Sequence, residues 1–147
     1  MKIDIRQISE GEESVVIRFK EMTPSLNKII NLLRGEGAKL WGRTDEESVC
    51  VELGEVLYLE SVDDKVFAYT KDRVIRIDGS LSSFLVEVAD ETCFRCNKSM
   101  VINVNRVVSL KSLSSNRIAV TLEGGEHIMI SRRYAVAFRR LLKGDRS

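Results

Sequence analysis

Cys93 and Cys96, in "CFRC", have the C-x-x-C spacing of a dithiol redox pair or of half a zinc site. A redox pair wants its first cysteine at a helix N-terminus, where the thiol pKa falls. Here the surrounding residues read as a strand, and a three-residue step along a strand sends the two side chains to opposite faces. Zinc needs further ligands, and the other soft candidates are Cys50 and the single His127, with no second pair at ligand spacing. His127, in "EGGEHIMIS", follows a Gly-Gly turn with no acid beside it to make a catalytic couple. Asp63 and Asp64, in "SVDDKVF", could act as paired carboxylates, but adjacent acids more simply serve a tight turn. "EGGE" lacks the lysine and the helix of a phosphate-binding loop. No catalytic group, metal or cofactor is expected, and the three cysteines read as reduced thiols.

What remains is cationic. Arg95, Asn97, Lys98 and Ser99 lie together in "RCNKS", and Arg132 and Arg133 follow Ser131 in "SRRY". Ser131 reads as an N-cap, which puts two arginines in a helix's first turn, where the dipole disfavours them. A phosphate there would answer both the free N–H groups and the guanidinium forks. The formal net charge is only +1, yet residues 92 to 147 hold 11 Lys and Arg against 3 Asp and Glu, a balance of +8. Residues 1 to 91 hold 12 against 19, or −7, and an asymmetry of this kind points to a polyanion partner.

The elements that must carry these residues are mostly strands. Period-two alternation begins at "SVCVE" and resumes in "EVLYLES", and further strands are expected at about 65–70, 73–77, 93–96, 100–103, 106–111, 117–122 and 127–130. Helices are expected over "SLSSFLVEV" and "RRYAVAFRRLL". Upstream, "KIDIRQI" (2–8) and "SVVIRFK" (14–20) read as a hairpin, followed by a helix capped by Thr23, opened by Pro24 and stopped by "GEG" at 35–37. The expected class is mainly β (α+β), an antiparallel fold over residues 42–147 preceded by a ββα extension over residues 1–41. Neither a 20-residue apolar run nor a secretory signal is seen, so the cytoplasm is the expected location.

"GEVLYLESVDDKVFAYT", "CFRCNKSMVINVNRVVSL" and "EGGEHIMISRRYAVAFRRLL", in that order over about residues 42 to 143, resemble the LytTR family of bacterial DNA-binding domains. "FRCNKSMVINVNRV" stands where that family carries F-x-R-x-(H/N)-(K/R)-S-x-(I/V)-V-N. The resemblance implies an elongated antiparallel β-fold whose loops, not a recognition helix, enter successive major grooves of duplex DNA. By position it places the contacts at Asp64, Lys65 and Val66; at Asn97 and Lys98; and at Arg132 and Arg133. Lys98 and Arg133 are the foremost candidates for base contact, while Asp63 and Asp64 would repel phosphate. Arg95 is a weaker candidate, since one face of its strand must pack inward.

Most members of that family join the domain to a phosphoacceptor receiver of about 120 residues, which the first 41 cannot form. The likeness is therefore to compact members, which in many bacteria are encoded beside a small membrane protein that restrains them. The expected function is sequence-specific transcription regulation on promoter DNA, as a homodimer formed or assisted by the extension, and not an enzyme activity. The alternatives are a protein-interaction module without DNA binding, or a thiol-redox sensor built on Cys93 and Cys96.

Overall fold

A computed structural model describes residues 2–34, 38–88 and 92–144, and the chain divides into two compact units, residues 1–36 and 37–147. In the first, α1 (Pro24–Leu33) begins as expected: the Thr23 hydroxyl accepts from Leu26 N at 3.1 Å, and Pro24, with no N–H to lose, takes the first position. The expected stop at 35–37 lies outside the described residues. The expected strands at 2–8 and 14–20 are not formed, and residues 2–22 carry neither strand nor helix. Ile3 and Ile5 are 77% and 88% exposed. An isolated two-stranded hairpin is marginal in water unless a third strand or a helix covers its apolar face.

In the second unit the expected antiparallel β-fold is present. Its strands are β1 (Lys39–Arg43), β2 (Ser48–Glu52), β3 (Tyr58–Val62), β4 (Lys65–Tyr69), β5 (Val74–Ile77), β6 (Cys93–Asn97), β7 (Met100–Asn103), β8 (Val107–Leu113), β9 (Arg117–Leu122) and β10 (His127–Ile130). Helix α2 (Leu81–Val88) follows β5, and α3 (Arg132–Leu142) is the last element. Seven strands form one sheet in the order β2-β1-β5-β4-β3-β7-β6, and three form a second in the order β10-β9-β8; every pairing is antiparallel.

Alternation decides which side chains go where. Val66 and Ala68 of β4 and Ile75 and Ile77 of β5 join Leu59, Val101, Leu81 and Phe84 in a core between the large sheet and α2. Ile102, one residue after Val101, points the other way, with Cys96 and Leu57, into a second core built with Ile118, Val120, Ile128 and Ile130 of the small sheet and Phe138 of α3. The large sheet is thus covered by α2 on one face and, at its β7–β6 end, by the small sheet and α3 on the other. Burying a side chain of this size contributes roughly 1.5–3 kcal/mol.

Strand β1 was not expected, and it spans the expected boundary between residues 41 and 42. Gly42 explains both its presence and its weak signal: a Cβ there would stand 2.9 Å from the Arg76 carbonyl oxygen and 2.9 Å from Ile77 Cδ1. Only glycine lets β1 lie this close to β5, and glycine is what lowers the strand signal.

Candidate nucleic-acid interface

Three turns carry the candidate residues. The first joins β3 to β4 with Val62 opposite Lys65, so the loop is two residues, Asp63 and Asp64, at φ 50° and 63°. Two successive positive φ values make a type I′ turn, whose twist matches that of the flanking strands, and aspartate tolerates this region better than most residues. Asp64 and Lys65 are exposed. Val66 is not: at 1% exposure it belongs to the core under α2. The side chain of Val66, expected among the contacts, is thus packed in the core, because the period of two that turns Lys65 outward turns Val66 inward.

The second turn, Lys98–Ser99 between β6 and β7, is held by side chains. Asn97 Oδ1 accepts from Ser99 N at 2.9 Å and from the Ser99 hydroxyl at 3.2 Å, while Asn97 Nδ2 donates to Met129 O at 2.9 Å. Both ends of the Asn97 side chain are thus engaged within the fold, so it positions the turn. Arg95 does the same from the other side: its Nε donates to Asn97 O at 3.0 Å, Nη2 to Lys98 O at 2.6 Å and Nη1 to the Ser82 hydroxyl at 3.3 Å. Between these braces the Lys98 side chain stands exposed.

The third is the start of α3. Ser131 holds the N-cap position in extended conformation (φ −70°, ψ 158°), but its hydroxyl makes no capping hydrogen bond, and no acid lies in the first turn. Tyr134 N donates to Ser131 O at 2.9 Å, while the positive dipole end of the helix, without a side-chain cap, lies alongside exposed Arg132 and Arg133. The Arg133 guanidinium carbon lies 5.4 Å from the centroid of the Tyr134 ring, a cation–π distance that restrains its direction.

Backbone bonds bring the three turns to one edge. Ser61 N, just before the first turn, donates to Ser99 O in the second at 2.8 Å. Ser131 N, just before α3, donates to Cys96 O at 2.9 Å, and the Asn97–Met129 bond reinforces that link. The β3–β7 register, Glu60 opposite Met100, extends the first of these joints into a ladder.

The other chemistry does not assemble. Cys50, Cys93 and Cys96 are thiols. Cys93 packs against the core under α2 and Cys96 lies in the second core, on opposite faces of β6. Burial pushes the Cys96 thiol up to about 12, and its Sγ donates to Met100 O at 3.4 Å, so Cys96 stays protonated at neutral pH. His127 is exposed, with Nδ1 3.0 Å from the Thr121 hydroxyl. Among the described residues no group of three or more His, Cys, Asp or Glu could hold a metal ion, and no helix is long and apolar enough to cross a membrane.

Arg95 and Asn97 emerge as positioning residues that sequence reasoning took for contact candidates. Buried Asn103 is another that it passed over: Nδ2 donates to Val56 O at 2.9 Å and Oδ1 accepts from Asn105 N at 3.0 Å, fixing the far end of β7. Its signal was an asparagine in an otherwise apolar strand, "MVIN", where a buried polar group must find partners.

Residues 46–143 match the family model described as the LytTr DNA-binding domain. Among characterised proteins the chain is similar to the transcriptional regulatory protein YpdB of Escherichia coli O6:H1 (strain CFT073). The two are 21% identical over 99 residues, which make up 67% of this chain and 40% of that protein. The fold is similar to that of a solved LytTr DNA-binding domain from Bacillus cereus, with a TM-score of 0.67 and 25% identity over 71% of this chain and 96% of that one.

Proposed function

We propose, from the premise that this chain belongs to the LytTR family of DNA-binding domains, that its three turns enter the major groove of promoter DNA together and that the protein regulates transcription there as a dimer. The observation that carries this reading is the joining of the turns: the Ser61–Ser99 and Ser131–Cys96 hydrogen bonds hold Lys65, Lys98, Arg132 and Arg133 along a single edge.

Each residue then has a task its chemistry suits. Lys98 and Arg133 reach base edges, where lysine and arginine pair with guanine O6 and N7. Arg132 and the free N–H groups at the start of α3 take a phosphate, which removes the cost of two cations at a positive dipole end. Lys65 meets the backbone. Asp64 repels phosphate, and its role in the groove is to accept from a cytosine N4 amine. Arg95 and Asn97 hold the second turn in place.

Dimerisation falls to residues 1–36, where Leu32 and Leu33 of α1 are 73% and 54% exposed beside Ile29. A small membrane protein encoded alongside is the second partner proposed for that apolar face. Two copies on one face of the duplex then occupy half-sites a whole number of helical turns, each about 34–36 Å, apart.

A mobility shift on fragments of the protein's own upstream region, run across a salt series with unrelated competitor DNA, tests this directly. The expected result is specific binding whose logarithm falls with log salt by about 0.9 per phosphate neutralised. Folded protein that shifts no fragment at low salt would refute it and leave the interaction-module reading.

A further inference from the structure

The large sheet presents a second cationic feature on the face opposite α2, in the part that the small sheet and α3 leave uncovered. Lys65 and Phe67 of β4, Val74 and Arg76 of β5, and Arg43 of β1 line a groove of about 390 Å³ together with one acid, Asp45. These are the outward partners of the inward-facing Val66, Ile75 and Ile77, so the alternation that builds the core also builds the groove.

Arg43 stands directly opposite Arg76 in the β1–β5 pair. Like charges directly opposed across strands are destabilising. Arg43 is relieved by Asp78, at 2.9 Å. Arg76 is half-buried, and among the described residues no acid lies within 4 Å of it or of Lys65. A half-buried guanidinium with a cation opposite it and an apolar floor beneath it is complementary to an anion.

Lys65 identifies which anion, because it lines this groove and also flanks the first of the three turns. Lys65 opens β4 directly after the first turn, and Arg76 and Arg43, opposite one another at the level of Phe67, follow two residues further along the sheet. From β4 to β1 are two inter-strand spacings, about 10 Å. That distance corresponds to about three base pairs at 3.4 Å each.

We infer that Arg76, with Lys65 and the Asp78-anchored Arg43, forms a phosphate-binding groove for the DNA backbone that flanks the bases read by the turns. This inference rests on the DNA-binding reading above and adds to it a contact that carries affinity and register without base specificity.

The test compares two duplexes carrying the protein's site, one ending at the bases it reads and one with about six further base pairs on each side, more than the groove spans. On the flanked duplex, Arg76→Ala is expected to reduce the steepness of log affinity against log salt by about 0.9, the slope of one phosphate contact, with discrimination between sites unchanged. Arg76→Lys keeps the wild-type slope. On the unflanked duplex the wild-type and Ala proteins coincide. Arg76→Gln repeats the measurement with the side chain's reach preserved and its charge gone.

Equal slopes for wild type, Ala and Gln on the flanked duplex, while wild type binds specifically, would overturn the groove and leave the turns intact. Wild type that binds neither duplex overturns the DNA reading itself, a separate outcome. Replacing chloride with inorganic phosphate at constant ionic strength separates the two sources of phosphate. A backbone contact leaves the wild-type–Ala difference standing; its disappearance would mean a free-phosphate site and overturn the assignment to DNA.

Discussion

The turn at Asp63–Asp64 and the turn at Lys98–Ser99 sit side by side, joined by the Ser61–Ser99 bond, and they are built in opposite ways. The first is local: two residues of positive φ close a hairpin whose register runs unbroken from Tyr58 opposite Tyr69 to Val62 opposite Lys65. The second is shaped from a distance, by Arg95 reaching Ser82 of α2 and by Asn97 reaching Met129 of β10, next to an irregularity in the β6–β7 pairing. A turn that makes its own shape needs no partners and presents acids. The turn that presents Lys98 adds to its own local bonds two that reach α2 and β10. Preorganisation of this kind lowers the ordering cost of binding.

The sharpest way to break this contrast is Asn97→Ala, which removes three hydrogen bonds from the second turn. It should cost about 2–3 kcal/mol of stability and weaken DNA binding as well, through the loss of the turn's shape. Denaturant midpoints and a mobility shift on the same preparation check both; unchanged values would mean that Arg95 alone holds the turn. Lys98→Ala should separate the two effects. Affinity for the specific site is expected to fall by about 1–3 kcal/mol while stability stays within about 0.5 kcal/mol of wild type. A loss of stability comparable to the loss of affinity would make Lys98 part of the scaffold. The smallest effect is expected at the first turn. Replacing Asp63 with Asn and Asp64 with Gly supplies the pair most favoured in a type I′ turn and should raise stability by a few tenths to about 1 kcal/mol. A lower thermal midpoint would show that this turn too depends on its neighbours.

Much of the scaffold was legible. The strands 100–103, 117–122 and 127–130 and the helix over "RRYAVAFRRLL" lie at the expected residues, because alternation and helical spacing there coincide with real cores. The N-terminal hairpin was misjudged by the same logic. "KIDIRQI" and "SVVIRFK" have strand-forming residues, but alternation says only that an apolar face exists, not that anything covers it. In the site, the exposed cations Lys65, Lys98, Arg132 and Arg133 were recognisable by type and place. The burial of the Val66 side chain was foreseeable, since its alternation with Lys65 already turned it inward. The bracing bond of Asn97 was not foreseeable, because its partner Met129 is 32 residues away.

By itself the sequence determined the family, the run of antiparallel strands, the cationic character of the C-terminal part and which side chains could meet a polyanion. These are properties of residue type and of spacing along the chain. The tertiary structure decided which candidates remain at the surface and which brace others, since hydrogen bonds such as Arg95–Ser82 and Asn97–Met129 join residues that no local pattern relates. It also set Arg43 beside Arg76, 33 positions apart in the numbering, because strand order places β1 against β5. Pairing order is a property of how faces are buried together, and it sets Arg43, Arg76 and Lys65 on one face of the large sheet.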